Sequence, residues 1–206
     1  IMEIEMDKKY FPKIIVTRAV PTMISSRLKK HFNVKLNETD VPFSQEDLRT
    51  AFKTFDGVLC TVSDKISSDV IKIEGRLASI VSNYGVGVSN IDTEYAHKSR
   101  LVVTNTPNVL TDSTAEVALF LILAVSRRTS YLESKLKKRK WECFSIVKDL
   151  GSSLKGKVLG IIGMGRIGQA TARKSIAALG MKVIFFNRTL IRGLDFDSMQ
   201  VNTLDE

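Results

Sequence analysis

The sequence predicts an α/β protein whose parallel sheets are covered by helices on both faces. Three observations carry that expectation. Short β-branched apolar runs alternate with helix-period segments from residue 13 onward. The alternation occurs twice, on either side of a long apolar helix near the middle of the chain. In the second half, a turn with spaced glycines joins a strand directly to a helix.

Residues 13–17 read as a strand, 22–31 as a helix and 33–36 as a short strand. A helix over 44–55 opens with Ser44 as N-cap and Asp47 at the capping-box position. Residues 57–61 form a buried strand, 67–73 a helix, 77–81 a strand, 91–99 a short helix and 101–104 the closing strand. This series makes a first domain, 1–112, without a glycine fingerprint. The remainder, 113–206, opens with a helix over 113–128 capped by Asp112 or Ser113, and a basic segment, 131–149, follows it. Residues 115–125 are the most apolar stretch; they are too short to span a bilayer and are expected to be a buried helix.

The strand at 158–162 runs into Gly163-x-Gly165-x-x-Gly168, with a helix after it and a second strand at 182–186. In a dinucleotide site, Gly163 allows the tight turn, Gly165 lets the backbone approach a pyrophosphate, and Gly168 lets the helix pack on the strand. The N–H groups opening that helix would face the phosphates, where the helix dipole favours negative charge. The alternative is an ordinary glycine turn. A site for NAD usually carries an acid at the end of the second strand, to accept from the ribose 2′-OH. Here Asn187-Arg188-Thr189 stands there, and the first acid after Gly168 is Asp195. A carboxylate would repel a 2′-phosphate, whereas an arginine fork and a hydroxyl would hold it, which favours NADP(H) over NAD(H). A solvated loop arginine is the other reading.

The net charge of +9 is gathered mainly in clusters at 27–30, 127–128 and 135–140. No zinc spacing, RNP-like aromatic motif or long basic tail accompanies it, so a surface that attracts anionic substrates and cofactors is expected rather than a nucleic-acid binder. Cys60 and Cys143, the only cysteines, suggest neither a disulfide framework nor a metal site, which fits a reducing cytoplasm. Residues 1–9 contain no apolar secretory core. No membrane partner is expected.

The strings Asn83-Tyr84-Gly85-Val86-Gly87-Val88-Ser89-Asn90-Ile91-Asp92, Thr104-Asn105-Thr106-Pro107-Asn108-Val109-Leu110-Thr111-Asp112 and Thr114-Ala115-Glu116 resemble the D-2-hydroxyacid dehydrogenases. The glycine turn followed by Asn187-Arg188-Thr189 resembles their glyoxylate and hydroxypyruvate reductase branch. The resemblance implies a flavodoxin-like substrate domain, a Rossmann cofactor domain and an active site in the cleft between them. It puts the Val86 and Gly87 amides on the substrate carboxylate. Independently, Gly85 and Gly87 would expose consecutive N–H groups at a strand's carboxyl end, before a helix that Ser89 could cap; the alternative is a structural turn. The family often has Asp where Ser89 stands here. By the same resemblance Thr114 lies near the nicotinamide, although its hydroxyl could equally be satisfied within the first helical turn. Arg166, Ile167 and Gly168 would supply amides to the pyrophosphate, and Asn187, Arg188 and Thr189 would meet the adenosine phosphate.

The family's substrate-orienting arginine, proton-passing histidine and histidine-tuning carboxylate would lie downstream of Glu206, so none of the catalytic set is expected in this chain. His31 and His97 are the only histidines and read as surface residues. Only about two strands fit between 158 and 206; residues 199–206 resemble the short strand and helix start that precede a third. The chain therefore reads as a fragment, inactive by itself, of an enzyme reducing small 2-oxo acids. Its resemblance to the C-terminal binding protein corepressors keeps open a dinucleotide-responsive binding protein, and an inactive fragment pairing with full-length subunits is a further alternative. Family members commonly dimerise through the cofactor domain, with the long helix and 131–149 contributing.

Overall fold

The computed structural model describes residues 11–206. Residues 1–9, which carry the expectation of no secretory signal, lie outside them. The chain divides into two compact units, one running through Pro107 and the other from Asn108 to Glu206.

The first unit is a five-stranded parallel sheet in the order β2-β1-β3-β4-β5. Its strands are β1 (Lys13–Val16), β2 (Asn33–Leu36), β3 (Gly57–Thr61), β4 (Ile80–Tyr84) and β5 (Val102–Thr104). Helices α1 (Thr22–Lys29), α2 (Gln45–Thr54), α3 (Ser68–Ile71) and α4 (Thr93–Lys98) make the crossovers. The capping box of α2 is present: the Ser44 hydroxyl accepts from the Asp47 N–H at 3.1 Å, and the Asp47 carboxylate accepts from the Ser44 N–H at 2.9 Å. Below that cap, α2 buries Leu48, Ala51 and Phe52 against Val58, Cys60, Ile66, Val70 and Val81. Full burial of a large apolar side chain is worth about 1.5–3 kcal/mol, so this cluster holds the unit together.

Two elements here differ from expectation. The strand expected at 77–81 is β4, three residues later. The N–H groups of Leu77 and Ala78 both donate to the Phe52 carbonyl at 3.0 Å, and Ser79 N–H donates to the Asp56 carbonyl. The first two satisfy an orphan carbonyl at the end of α2 instead of joining the ladder. The cap of α4 is Asp92, whose carboxylate accepts from the Tyr95 N–H at 2.9 Å, and not Ser89.

The second unit is a three-stranded parallel sheet, β6 (Val158–Ile162), β7 (Lys182–Phe186) and β8 (Met199–Val201), in the order β6-β7-β8. The short strand that the sequence placed at the start of 199–206 is β8, where Met199, Gln200 and Val201 pair with β7. Helix α7 (Arg166–Leu179) crosses from β6 to β7 and ends on Gly180, whose φ of 60° suits a glycine. It packs on α5 (Thr111–Ser126), where Ala115, Ala172 and Ser175 are all buried.

Helix α5 corrects the expectation twice. Neither Asp112 nor Ser113 caps it, since it begins earlier and the Asp112 carboxylate lies 3.3 Å from the Lys174 ammonium of α7. Nor is it buried: only Ala115 is, and Val117, Phe120, Leu121 and Val125 are exposed. The segment read as basic linker begins with a further helix, α6 (Thr129–Lys137). Arg128 breaks α5 from α6 with a φ of 54° and sets its guanidinium 4.4 Å from the centre of the Tyr131 ring. A 2.5 Å ion pair between Lys135 and Asp149 then ties the following segment back to α6.

Candidate functional sites

In the first unit, β4 ends at Tyr84 and the chain turns through Gly85, Val86 and Gly87 at the carboxyl edge of the sheet. Ligands of open α/β sheets bind outside this edge. A Cβ on Gly85 would collide with the Val62 side chain, which is exposed and would have to move aside. At Gly87 a Cβ would meet nothing within 4 Å, and its φ lies outside the left-handed region. The Gly85 N–H donates to the Asn83 carbonyl at 2.9 Å, so Gly85 does not contribute to the exposed amide pair the sequence suggested. The N–H groups of Val86 and Gly87 have no hydrogen-bond partner among the described residues.

Around this loop lies a polar cluster that sequence reading missed. Asn83 is fully buried on β4, and its Nδ2 donates to the Gly87 carbonyl at 2.7 Å. Asn83 and Asn90 also bond each other, Nδ2 to Oδ1 in both directions, at 3.3 and 3.2 Å. Asn90 Nδ2 reaches the carbonyls of Thr61 and Asp64, and Asn105 Nδ2 donates to the Val86 carbonyl at 2.7 Å. No signal marked it, because the strand was expected at 77–81 and Asn83 fell beyond its end, whereas β4 runs to Tyr84. Beneath it the buried Asp64 carboxylate accepts from the Thr17 hydroxyl at 2.6 Å and from the Thr61 N–H at 2.8 Å. Burial, followed by the nearby Asp64 charge, pushes the Cys60 thiol up to about 12, so it stays protonated.

Both histidines are exposed. His31 lies between α1 and the start of β2, and His97 on α4 just before β5. In a parallel sheet those are amino-edge positions, opposite the Val86–Gly87 turn.

In the second unit, the glycine turn follows β6. Gly163 has a φ of 97°, reserved in practice for glycine, and its N–H donates to the Phe186 carbonyl at 2.8 Å. Gly165 is the N-cap of α7, with no side chain to occupy the first-turn amides and open space where its Cβ would stand. The amides of Arg166, Ile167 and Gly168 open the helix, where no intrahelical carbonyl precedes them. A Cβ on Gly168 would run into the Gly163 carbonyl, so α7 sits directly on the turn. A free helix N-terminus beside an unfilled glycine surface fits a pyrophosphate.

The residues after β7 behave differently from one another. Asn187, expected on the adenosine phosphate, spends its carboxamide inside the loop. Its Oδ1 accepts from the Met164 N–H at 3.3 Å, and its Nδ2 donates to the carbonyl and hydroxyl oxygens of Thr189 at 3.0 and 3.1 Å. Gln200 of β8 adds bonds to the Asn187 and Thr189 carbonyls and accepts from the Ile191 N–H. Arg188 is exposed and engages no acid among the described residues. The first acid after the glycines, Asp195, is forked by Arg173 of α7 at 2.8 and 3.0 Å, which holds its carboxyl below the usual range. Thr114 is exposed in the first turn of α5. No cluster of metal-ligating side chains occurs among the described residues, and no helix there is long and apolar enough to cross a membrane.

The model of the D-isomer specific 2-hydroxyacid dehydrogenase catalytic domain matches residues 14–199. The glyoxylate reductase of Thermococcus kodakarensis is 37% identical over 182 residues, which cover 86% of this chain and 54% of that protein. The glyoxylate reductase of Korarchaeum cryptofilum is 35% identical over 187 residues, covering 90% of this chain and 55% of that one. The chain thus spans about half the length of these curated relatives. Among solved structures, a putative D-isomer specific 2-hydroxyacid dehydrogenase from Polaromonas sp. JS6 66 superposes with a TM-score of 0.84 at 27% identity, over 95% of this chain and 61% of that one. The TT0316 protein of Thermus thermophilus does so with a TM-score of 0.81 at 31% identity, over 92% and 59%.

Proposed function

Because the chain belongs to the D-isomer specific 2-hydroxyacid dehydrogenase family, whose members depend on nicotinamide dinucleotides, we propose that it serves the reduction of a small 2-oxo acid, glyoxylate or hydroxypyruvate. The observation that carries the reading is the pair of unpartnered amides at Val86 and Gly87 on a loop whose carbonyls are all engaged. Those amides donate to the substrate carboxylate and orient the 2-oxo group. The substrate domain, expected over 1–112, corresponds to the unit that runs through Pro107, and the cofactor domain, expected over 113–206, to the unit from Asn108 to Glu206.

The cofactor supplies a hydride to the substrate carbonyl carbon when bound. Gly163 and Gly165 keep side chains away from its pyrophosphate, and the Arg166, Ile167 and Gly168 amides hold the phosphate oxygens. Thr114, exposed in the first turn of α5, would meet the nicotinamide half. Arg188 and the Thr189 hydroxyl hold a 2′-phosphate, while Asn187 shapes the loop that presents them. Asp195, the first acid after the glycines, is forked by Arg173 instead of being offered to a ribose 2′-OH, so NADP(H) is preferred to NAD(H). The exposed apolar side of α5, with Trp141, Phe144 and Ile146 beyond α6, supports a homodimer built through this unit. A cytoplasmic setting suits the free thiols of Cys60 and Cys143.

Calorimetric titration with NADPH and NADH, together with amide chemical-shift titration with glyoxylate, tests the reading. Tighter NADPH binding and shifts at Val86 and Gly87 are expected. Absence of both dinucleotide binding and those shifts would overturn it.

A further inference from the structure

A trans peptide group is planar, so the C=O of one residue and the N–H of the next point in opposite directions from the same rigid plane. Whatever grips the carbonyl therefore aims the amide. No cis peptide bond occurs among the described residues, so the rule applies to every plane of the 85–88 turn. The Gly85 carbonyl accepts from the Thr106 N–H at 3.0 Å, which directs the Val86 N–H. The Val86 carbonyl accepts from Asn105 Nδ2 at 2.7 Å, which directs the Gly87 N–H. The Gly87 carbonyl accepts from Asn83 Nδ2 at 2.7 Å, closing the turn on a buried strand residue that the Asn90 carboxamide holds in place. Three successive carbonyls are held by the protein, and the two unpartnered N–H groups are left pointing away from those contacts.

We infer that Asn105 is a positioning residue for anion binding. By gripping the Val86 carbonyl it aims the Gly87 N–H at the carboxylate of a small 2-oxo acid, while the Asn83–Asn90 pair anchors the turn from below. The inference rests on the proposed carboxylate role of Val86 and Gly87 and adds the residue that sets their direction. Asn105 is exposed and makes its contact from the segment after β5. Its removal therefore costs the fold little, unlike removal of the buried Asn83. An uncommitted turn must be ordered each time the anion binds, and a turn already held spends none of that free energy.

The test is a titration of the isotope-labelled chain with sodium glyoxylate, with neutral glycolaldehyde as control, for the native protein, Asn105→Ala and Asn105→Asp. The native chain should show glyoxylate-dependent shifts at the Val86 and Gly87 amides that the neutral compound does not produce. Loss of one hydrogen bond's preorganisation should weaken glyoxylate by about 3–10-fold in Asn105→Ala, with an unchanged unfolding midpoint. Asn105→Asp should be weaker still, because an acceptor then faces the Val86 carbonyl and adds negative charge. Should the alanine variant fail to fold, the isosteric aspartate carries the comparison. No shift in the native chain would remove the carboxylate role itself. Shifts in the native chain with unaltered affinity in both variants would leave that role standing and overturn the assignment of Asn105.

Discussion

The carbonyl oxygen of Gly163 occupies the space that a Cβ on residue 168 would need. One turn of α7 is thus seated on the backbone of the loop it follows, and the obstacle is backbone rather than a side chain that could swing aside. Gly168→Ala should therefore lower the stability of the second unit by about 1–3 kcal/mol, the usual cost of overpacking a close contact. Gly165→Ala meets open space and should leave the thermal midpoint nearly unchanged while weakening dinucleotide binding. Thermal unfolding and calorimetry on the two variants separate these effects; equal midpoints would contradict the first.

The same contrast applies in the first unit. Gly87→Ala has room and an unstrained backbone, so the protein should fold and keep its dinucleotide affinity while binding glyoxylate more weakly. Gly85→Ala displaces the exposed Val62 side chain, so its unfolding temperature should fall, but by less than that of Gly168→Ala. If Gly87→Ala were the one that failed to fold, the turn would be structural and nothing more.

Arg188→Ala should weaken NADPH far more than NADH. Removing a charge-assisted contact predicts a difference of about 1.5–3 kcal/mol between the two cofactors. Equal losses would mean that the guanidinium does not meet a 2′-phosphate. Asn187→Ala should weaken both, since its carboxamide ties the Met164 amide to the Thr189 loop.

The segment beyond α6 should loosen in acid. The hydrogen bond from Lys135 holds the Asp149 carboxyl below its ordinary range. A depressed carboxylate contributes stability that is complete above its unfolded pKa of about 3.9 and is lost as pH falls through the lower folded value. Lys135, raised mainly by the same bond, loses its contribution only in strong alkali. Trp141 fluorescence should accordingly report a change in acid that Asp149→Asn removes, and Asp149→Asn at neutral pH should resemble the native protein in acid.

The parallel α/β layout was legible because it depends on local signals: β-branched runs, the Ser44 cap and the glycine spacing all act within a few residues. Position along β4 was not. Residues 77 and 78 look like strand, yet their amides are claimed by Phe52 at the end of α2, about twenty-five residues earlier in the chain. The apolar run of α5 was read as core because hydrophobicity says that a surface is to be covered without saying by what. Val86 and Gly87 were legible as a glycine-flanked turn, but their direction was not. It depends on Asn105, some nineteen residues downstream, which no periodicity marks.

Cys60 and Cys143 give the molecule an internal clock. One thiol is exposed and the other is sealed within the first unit and kept protonated, so a thiol reagent should label Cys143 at once and Cys60 only when the first unit opens. The slow phase of that reaction times the opening of the first unit, where Cys60 is buried. A small carboxylate that settles on the Val86–Gly87 turn should lengthen it by a factor of one plus the ratio of free carboxylate concentration to Kd, which keeps growing after the turn is nearly saturated.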